Sequence, residues 1–387
     1  PDVDVLMGLP AEGDDTAMHR GRHGWYGASW RWVTLEGAGR IALVDLADAQ
    51  KLWDPKPGWL NTASYGLPPR PAWDALQEAL EIWRTGAESW EQWNDATERS
   101  RAAFARLLSV EAADVFAGST VSSAVALVAA SIPDGSTVLV PEVEFTSNIF
   151  PWAAHADRGV TVRTAPTDKY AEAIDENVDV VAFSAVQSAT GEVADVAAIS
   201  AAAREAGALV VVDATQAVGW LPVDARSTDA CVASTYKWMM SPRGATFGYV
   251  APELRERLRP EQSGWYSSVG HHQYYGMPMR LAGDARRFDQ SPAWFSHVGC
   301  APALELIEEI GVEQIHAHNV GLANAFRAGL GLEPGDSAIV SADVPGADER
   351  LAAAGVRAAA RDGRLRASFH VYSSQADVDL ALNALGG

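Results

Sequence analysis

Six short apolar runs in the middle of the chain constrain its fold more than any other feature: residues 137–140, 160–164, 178–184, 208–213, 230–234 and 246–250. A strand with one wet face alternates polar and apolar side chains. Most of these runs do not alternate, so both their faces must be buried, which is the habit of parallel strands covered by helices on either side. Helical patterns at 71–84, 96–108, 122–131, 196–206 and 301–309 can supply the cover. The alternation predicts an α/β fold around a large, mostly parallel sheet. From about residue 300 the order becomes helix, strand, helix, ending at 381–385, which predicts a smaller α+β domain. The large domain is expected over 59–299, and the small one over 41–58 together with 300–387. Residues 1–40 are rich in Gly, Arg, His and Trp without periodicity and are expected to be a disordered N-terminal extension, followed by a short helix at 47–53.

Charge and cysteine usage narrow the partners. A net charge of −20 repels nucleic acid and anionic membranes. No apolar run approaches the ~20 residues of a membrane helix, and the opening acids Asp2, Asp4, Glu12, Asp14 and Asp15 carry the wrong charge for a secretory signal. The two cysteines, Cys231 and Cys300, form neither a disulfide framework nor a metal-ligand spacing. These features lead us to expect a cytoplasmic protein without a metal site, acting on a small molecule rather than on nucleic acid or membrane.

Only four lysines stand against 26 arginines, so a catalytic amine has four possible homes. Lys51 and Lys56 precede the strand-rich region, and Lys169 sits in a polar loop. Lys237 comes just after the run at 230–234. There a lysine loses hydration, which depresses its pKa and favours imine chemistry; the plainer alternative is a surface lysine at a strand end. Asp213 closes the run at 208–213, and ligands of open α/β sheets collect at such carboxyl ends. A buried carboxylate calls for a cation, and the protonated pyridine nitrogen of pyridoxal 5′-phosphate is one. Asp213 could instead cap the Ala-Thr-Gln segment that follows. Residues Ala117-Gly118-Ser119-Thr120 mark a strand-to-helix junction, which suits a phosphate or simply a capped helix.

Taken in order, Asp213-Ala-Thr-Gln216, Ser234-Thr-Tyr-Lys237 and Pro242-Arg-Gly244 resemble the class V aminotransferase family of fold-type-I pyridoxal phosphate enzymes, over about residues 59–375. The resemblance implies a seven-stranded type of sheet and a homodimer with a shared active site. It implies that Lys237 carries the cofactor as a Schiff base and acts as catalytic base, while Asp213 pairs with the pyridine nitrogen. Gln216 would approach the 3′-oxygen, with Gln187 or Ser188 nearby. Ser119 and Thr120 resemble the phosphate loop, and Tyr236 the phosphate-binding tyrosine of kynureninases, with Ser234 or Thr235 beside it. Phe145 takes the place of the ring that stacks on the pyridine, where cysteine desulfurases carry His; otherwise it is a core residue. Ser291, in Arg286-Arg-Phe-Asp-Gln-Ser291, resembles the segment reaching the partner subunit's phosphate. Arg366 resembles the arginine that clamps the substrate α-carboxylate; Arg364 shares its strand face, so the choice between them rests on the resemblance. Asn61, Ala63 and Tyr65 occupy the segment that lines the substrate pocket, unless it is a plain turn.

A cysteine desulfurase needs a mobile thiol upstream of the carboxylate arginine, and residues 340–366 contain no cysteine. The segments 236–244 and 287–294 look most like the actinobacterial C–S lyases of the ergothioneine and lincosamide pathways. The expected reaction is β-elimination from a cysteine S-conjugate. The alternatives are a class V aminotransferase and an oxidative decarboxylation-deamination of such a conjugate. The aromatic stretch 264–275 suits either a bulky S-substituent or a dimer interface.

Overall fold

The computed structural model describes residues 44–386; the expectation for residues 1–40 lies outside them. Seven strands form the main sheet: β1 (Val115–Gly118), β2 (Thr137–Pro141), β3 (Thr161–Ala165), β4 (Val180–Ser184), β5 (Leu209–Asp213), β6 (Ala230–Ser234) and β7 (Thr246–Val250). Their spatial order is β1-β7-β6-β5-β4-β2-β3. All run parallel except β7, which is antiparallel to both its neighbours.

Alternate residues of each strand enter two different cores. Val181, Phe183, Val210, Val212, Cys231 and Phe247 pack on one face against Phe104 and Leu108 and against Ile199 and Ala203. Val180, Ala182, Val211, Val232 and Val250 pack on the other against Val125, Val128 and Trp152. This double burial is why the runs read as unbroken apolar sequence. Each fully buried Val or Phe contributes roughly 1.5–3 kcal/mol. The β1 strand ends at Gly118, at the strand-to-helix junction expected there; the long helix Val312–Gly329 was not foreseen, and the helix expected to start at 301 begins earlier, at Trp294.

A second sheet, in the order β8-β10-β9, comprises β8 (Ile339–Ala342), β9 (Ala359–Arg361) and β10 (Arg364–Ser368) and is antiparallel throughout. Its core joins Val340, Leu365 and Phe369 to Phe326, Leu351, Val378 and Leu60. Leu60, far away in sequence, ties its own segment to this sheet: Asn61 bridges Ser368, and the Leu60 carbonyl accepts the Ser368 N–H. No helix among the described residues is long and apolar enough to cross a membrane.

Candidate active site

The carboxyl ends of β1, β2, β4, β5 and β6 open on one edge of the main sheet, and every segment that follows them carries a side chain named above. Lys237 lies three residues beyond β6 and is 7% exposed. Its Nζ is 5.6 Å from the centre of the Phe145 ring and 5.7 Å from that of Tyr236. Among the described residues it makes no hydrogen bond or ion pair. Burial lowers its ammonium to about 8, with Asp213 opposing the fall and Arg366, Arg243 and Arg361 adding to it. Phe145 is not a core residue, for it is half-exposed beside the lysine.

Asp213 is buried at the end of β5. One of its oxygens, Oδ1, accepts the Thr215 N–H at 2.9 Å, a turn contact rather than a helix cap, since only turns follow. No hydrogen bond reaches the other oxygen among the described residues. Burial raises its carboxyl, and the contacts with Thr215 and the charge of Lys237 work against that.

A second group surrounds Arg366, which is 1% exposed. Its Nη1 donates to the Ser188 carbonyl at 2.7 Å and to Ser188 Oγ at 3.1 Å, and its Nη2 to Ser64 Oγ at 2.8 Å. Nε is buried without a partner. Arg364, by contrast, is exposed and donates to Ser341 Oγ. Gln216 Nε2 donates to Ser188 Oγ and to the Ala63 carbonyl, while its Oε1 accepts Trp238 Nε1–H at 2.7 Å. Ser188 therefore belongs with Gln216 and Arg366. Gln187 turns away and donates to Glu144, leaving its own Oε1 buried and unpartnered. Asn61 accepts from Ser64 Oγ, so the turn at 61–64 is real and its groups face Arg366. The Tyr65 ring packs 4.6 Å from Trp59 and borders a cavity of about 450 Å³ with Trp73, Leu76, Tyr236 and Arg243.

The third group lies at the end of β1. Thr120 caps the helix Val121–Ala129 by accepting Ser123 N–H, and Ser119 Oγ donates to Gln290 Oε1 at 2.8 Å. The buried Asp289 holds the Ala117 N–H at 2.7 Å and forms a two-pronged ion pair with buried Arg101. Ser291 is exposed immediately after Gln290. Ser234 is committed elsewhere: its hydroxyl pairs with Thr246 Oγ1 across β6 and β7. The aromatic stretch 264–275 does not line that cavity; Trp265 packs against Trp90 and Tyr274.

Four residues of this arrangement escaped the sequence reading. Glu144 accepts Ser184 N–H, Ser184 Oγ–H, Phe145 N–H and Gln187 Nε2–H, which ties the end of β4 to the loop carrying Phe145. Burial raises its carboxyl, Ser184 opposes the rise, and the charge of Asp213 adds to it. Ser64, Gly66 and Arg361 are the others. Only Glu144 left a signal, and a weak one, since Glu142 is a second acid two residues before it.

A buried carboxylate with one oxygen unengaged, beside a buried amine with no partner and an open aromatic ring, fits the pyridine ring and aldehyde of pyridoxal phosphate. The hydroxyls of Ser119 and Thr120 at a helix N-terminus fit its phosphate. Fold and site together define a fold-type-I pyridoxal phosphate enzyme. Residues 69–345 match the class-V aminotransferase family, and the chain belongs to it. Its relatives include an uncharacterized aminotransferase, YcbU, of Bacillus subtilis, 27% identical over 84% of this chain and 93% of that one. A probable cysteine desulfurase of Methanothermobacter thermautotrophicus is 25% identical over 70% of this chain and 71% of its own. Among solved structures, the cystine C–S lyase C-DES in complex with cysteine persulfide superposes with a TM-score of 0.77 at 21% identity, over 85% of this chain and 97% of that one. The enzyme thus uses pyridoxal phosphate and acts on amino acids.

Proposed function

We propose that the enzyme carries out β-elimination of a cysteine S-conjugate, consuming water and releasing a thiol, pyruvate and ammonia. The observation that carries this reading is the pairing of an unengaged Lys237 amine with an Arg366 clamp in a protein with no accessible thiol. Both cysteines are buried, and burial raises both thiols, Cys300 to about 11. Neither can take up sulfur as a nucleophile. The fold it shares with a cystine C–S lyase is in keeping with the proposal.

In this reading Lys237 bonds the cofactor, and its freed amine then removes and carries the proton of the substrate α-carbon. When bound, pyridoxal phosphate supplies an electron sink for the charge developing at that carbon. Asp213 holds a proton on the pyridine nitrogen, and Phe145 covers one ring face and excludes water. Ser188 and Gln216 serve the 3′-oxygen. Ser119, Thr120 and Tyr236 serve the phosphate. Arg366 binds the α-carboxylate through its planar fork, in a space bordered by Asn61, Ala63 and Tyr65. We further propose a homodimer, with Ser291 reaching the partner's phosphate and the exposed Val269, Tyr275, Met277 and Met279 meeting a second copy. The small domain is assigned to 41–58 and 300–387 on the same footing.

The test is a product assay with a cysteine S-conjugate and no keto acid. Equal release of pyruvate, ammonia and thiol is expected. Turnover only when a keto acid is supplied would replace elimination with transamination.

A further inference from the structure

Arg366 shares its acceptor with a second guanidinium. Arg361 Nη2 donates to the same Ser64 Oγ, at 3.3 Å, that Arg366 Nη2 reaches at 2.8 Å. The two head groups are therefore no farther apart than those two bonds laid end to end. Strand pairing explains how they meet: Arg364 faces Arg361 and Arg366 faces Ala359, so all three arginines occupy one face of the small sheet.

None of them pairs with a carboxylate among the described residues, although acids outnumber bases 50 to 30 in this chain. A shared hydroxyl does not neutralise two cations. Burial lowers the Arg366 guanidinium to about 10, and the charge of Arg361 adds to the fall. Arg361 also acts on Lys237, so its field reaches the amine. An α-carboxylate has two oxygens and satisfies one guanidinium fork. With Arg366 so occupied, the exposed Arg361, whose Nη1 donates to the Ala360 carbonyl and whose Nη2 shares Ser64 Oγ, remains a cation beside the site with no carboxylate partner among the described residues.

We propose that Arg361 is a specificity-determining residue that pairs with a second carboxylate on the substrate's side chain, so that the preferred amino acids carry a distal negative charge. This rests on Arg366 binding the α-carboxylate, as proposed above, but not on the bond that is later broken.

The experiment titrates the holoenzyme with S-carboxymethyl-L-cysteine and with its neutral isostere S-carbamoylmethyl-L-cysteine, reading binding from the cofactor absorbance. The acid is expected to bind roughly tenfold more tightly, with the ratio shrinking as salt is raised. Arg361→Gln should equalise the two probes, and Arg361→Lys should restore most of the preference. Equal affinity in the wild type, or no binding of either probe, overturns the proposal. So does an equal fall for both probes in Arg361→Gln, since the two arginines would then share one carboxylate. A binding preference without release of pyruvate would remove elimination and leave this inference standing. Pyruvate from both probes at equal KM would do the reverse.

Discussion

Gly66 lies against the main chain of Lys237: a Cβ built on it would sit 2.0 Å from the lysine carbonyl oxygen and 3.1 Å from Met240 Cα. The Gly66 N–H also donates to the Tyr236 carbonyl at 2.9 Å. The segment 61–66 and the lysine turn are thus one packed unit. Gly66→Ala should displace that turn and cost about 2 kcal/mol or more in urea unfolding, with weaker uptake of pyridoxal phosphate. Unchanged stability and uptake would show that the two segments are not locked together.

Lys237 is held with its ammonium at about 8. The neutral amine is the reactive form, so its trace acetylation, followed by mass spectrometry of the apo protein, should rise with pH and level off above that value. Asp213 favours the charged form of the lysine. Asp213→Asn should therefore move the midpoint to lower pH; a shift upward would contradict the arrangement.

Arg366 meets Ser188 and Ser64 with two of its three nitrogens. Arg366→Lys keeps the charge but loses the planar fork, and should raise KM for the amino acid by about tenfold or more with a smaller effect on kcat. A fall in kcat alone would place Arg366 outside substrate binding.

Glu144 accepts four hydrogen bonds in a buried pocket. Glu144→Gln turns an amide donor toward Ser184 N–H or Gln187, and should destabilise the protein by about 2–3 kcal/mol. It also frees the Phe145 loop, so the cofactor's absorbance should broaden even where the fold survives. A variant with wild-type stability and spectrum would remove Glu144 from this role.

Arg101 and Asp289 form a buried pair that also fixes the Ala117 N–H. Asp289→Ala should cost about 3 kcal/mol by removing the buried partner of Arg101 and of the Ala117 N–H, leaving the guanidinium with Glu98 and the Val115 carbonyl. Asp289→Asn retains the shape and should mainly weaken cofactor affinity, measured as a higher Kd for pyridoxal phosphate.

Much of the fold was legible because its strongest signal is local. Unbroken apolar runs report burial on both faces, and β6 and β7 fall within the limits read from sequence, at Ala230–Ser234 and Thr246–Val250. The helix Val312–Gly329 was missed because His316, His318, Asn319 and Gly321 are weak helix formers. Its buried stripe of Ile315, Asn319, Leu322 and Phe326 holds it through packing.

The sequence by itself determined that this is a two-sided α/β sheet with an acid and a lysine at strand ends, because periodicity and strand-end position are properties of contiguous residues. Only the tertiary structure decided the strand order, the grouping of Ser188 rather than Gln187 with Gln216 and Arg366, and the meeting of Ser64, Arg361 and Arg366 across some 300 residues of chain. Those contacts depend on how β-pairing and core packing close long loops, and no local pattern records which distant side chains such closure brings face to face.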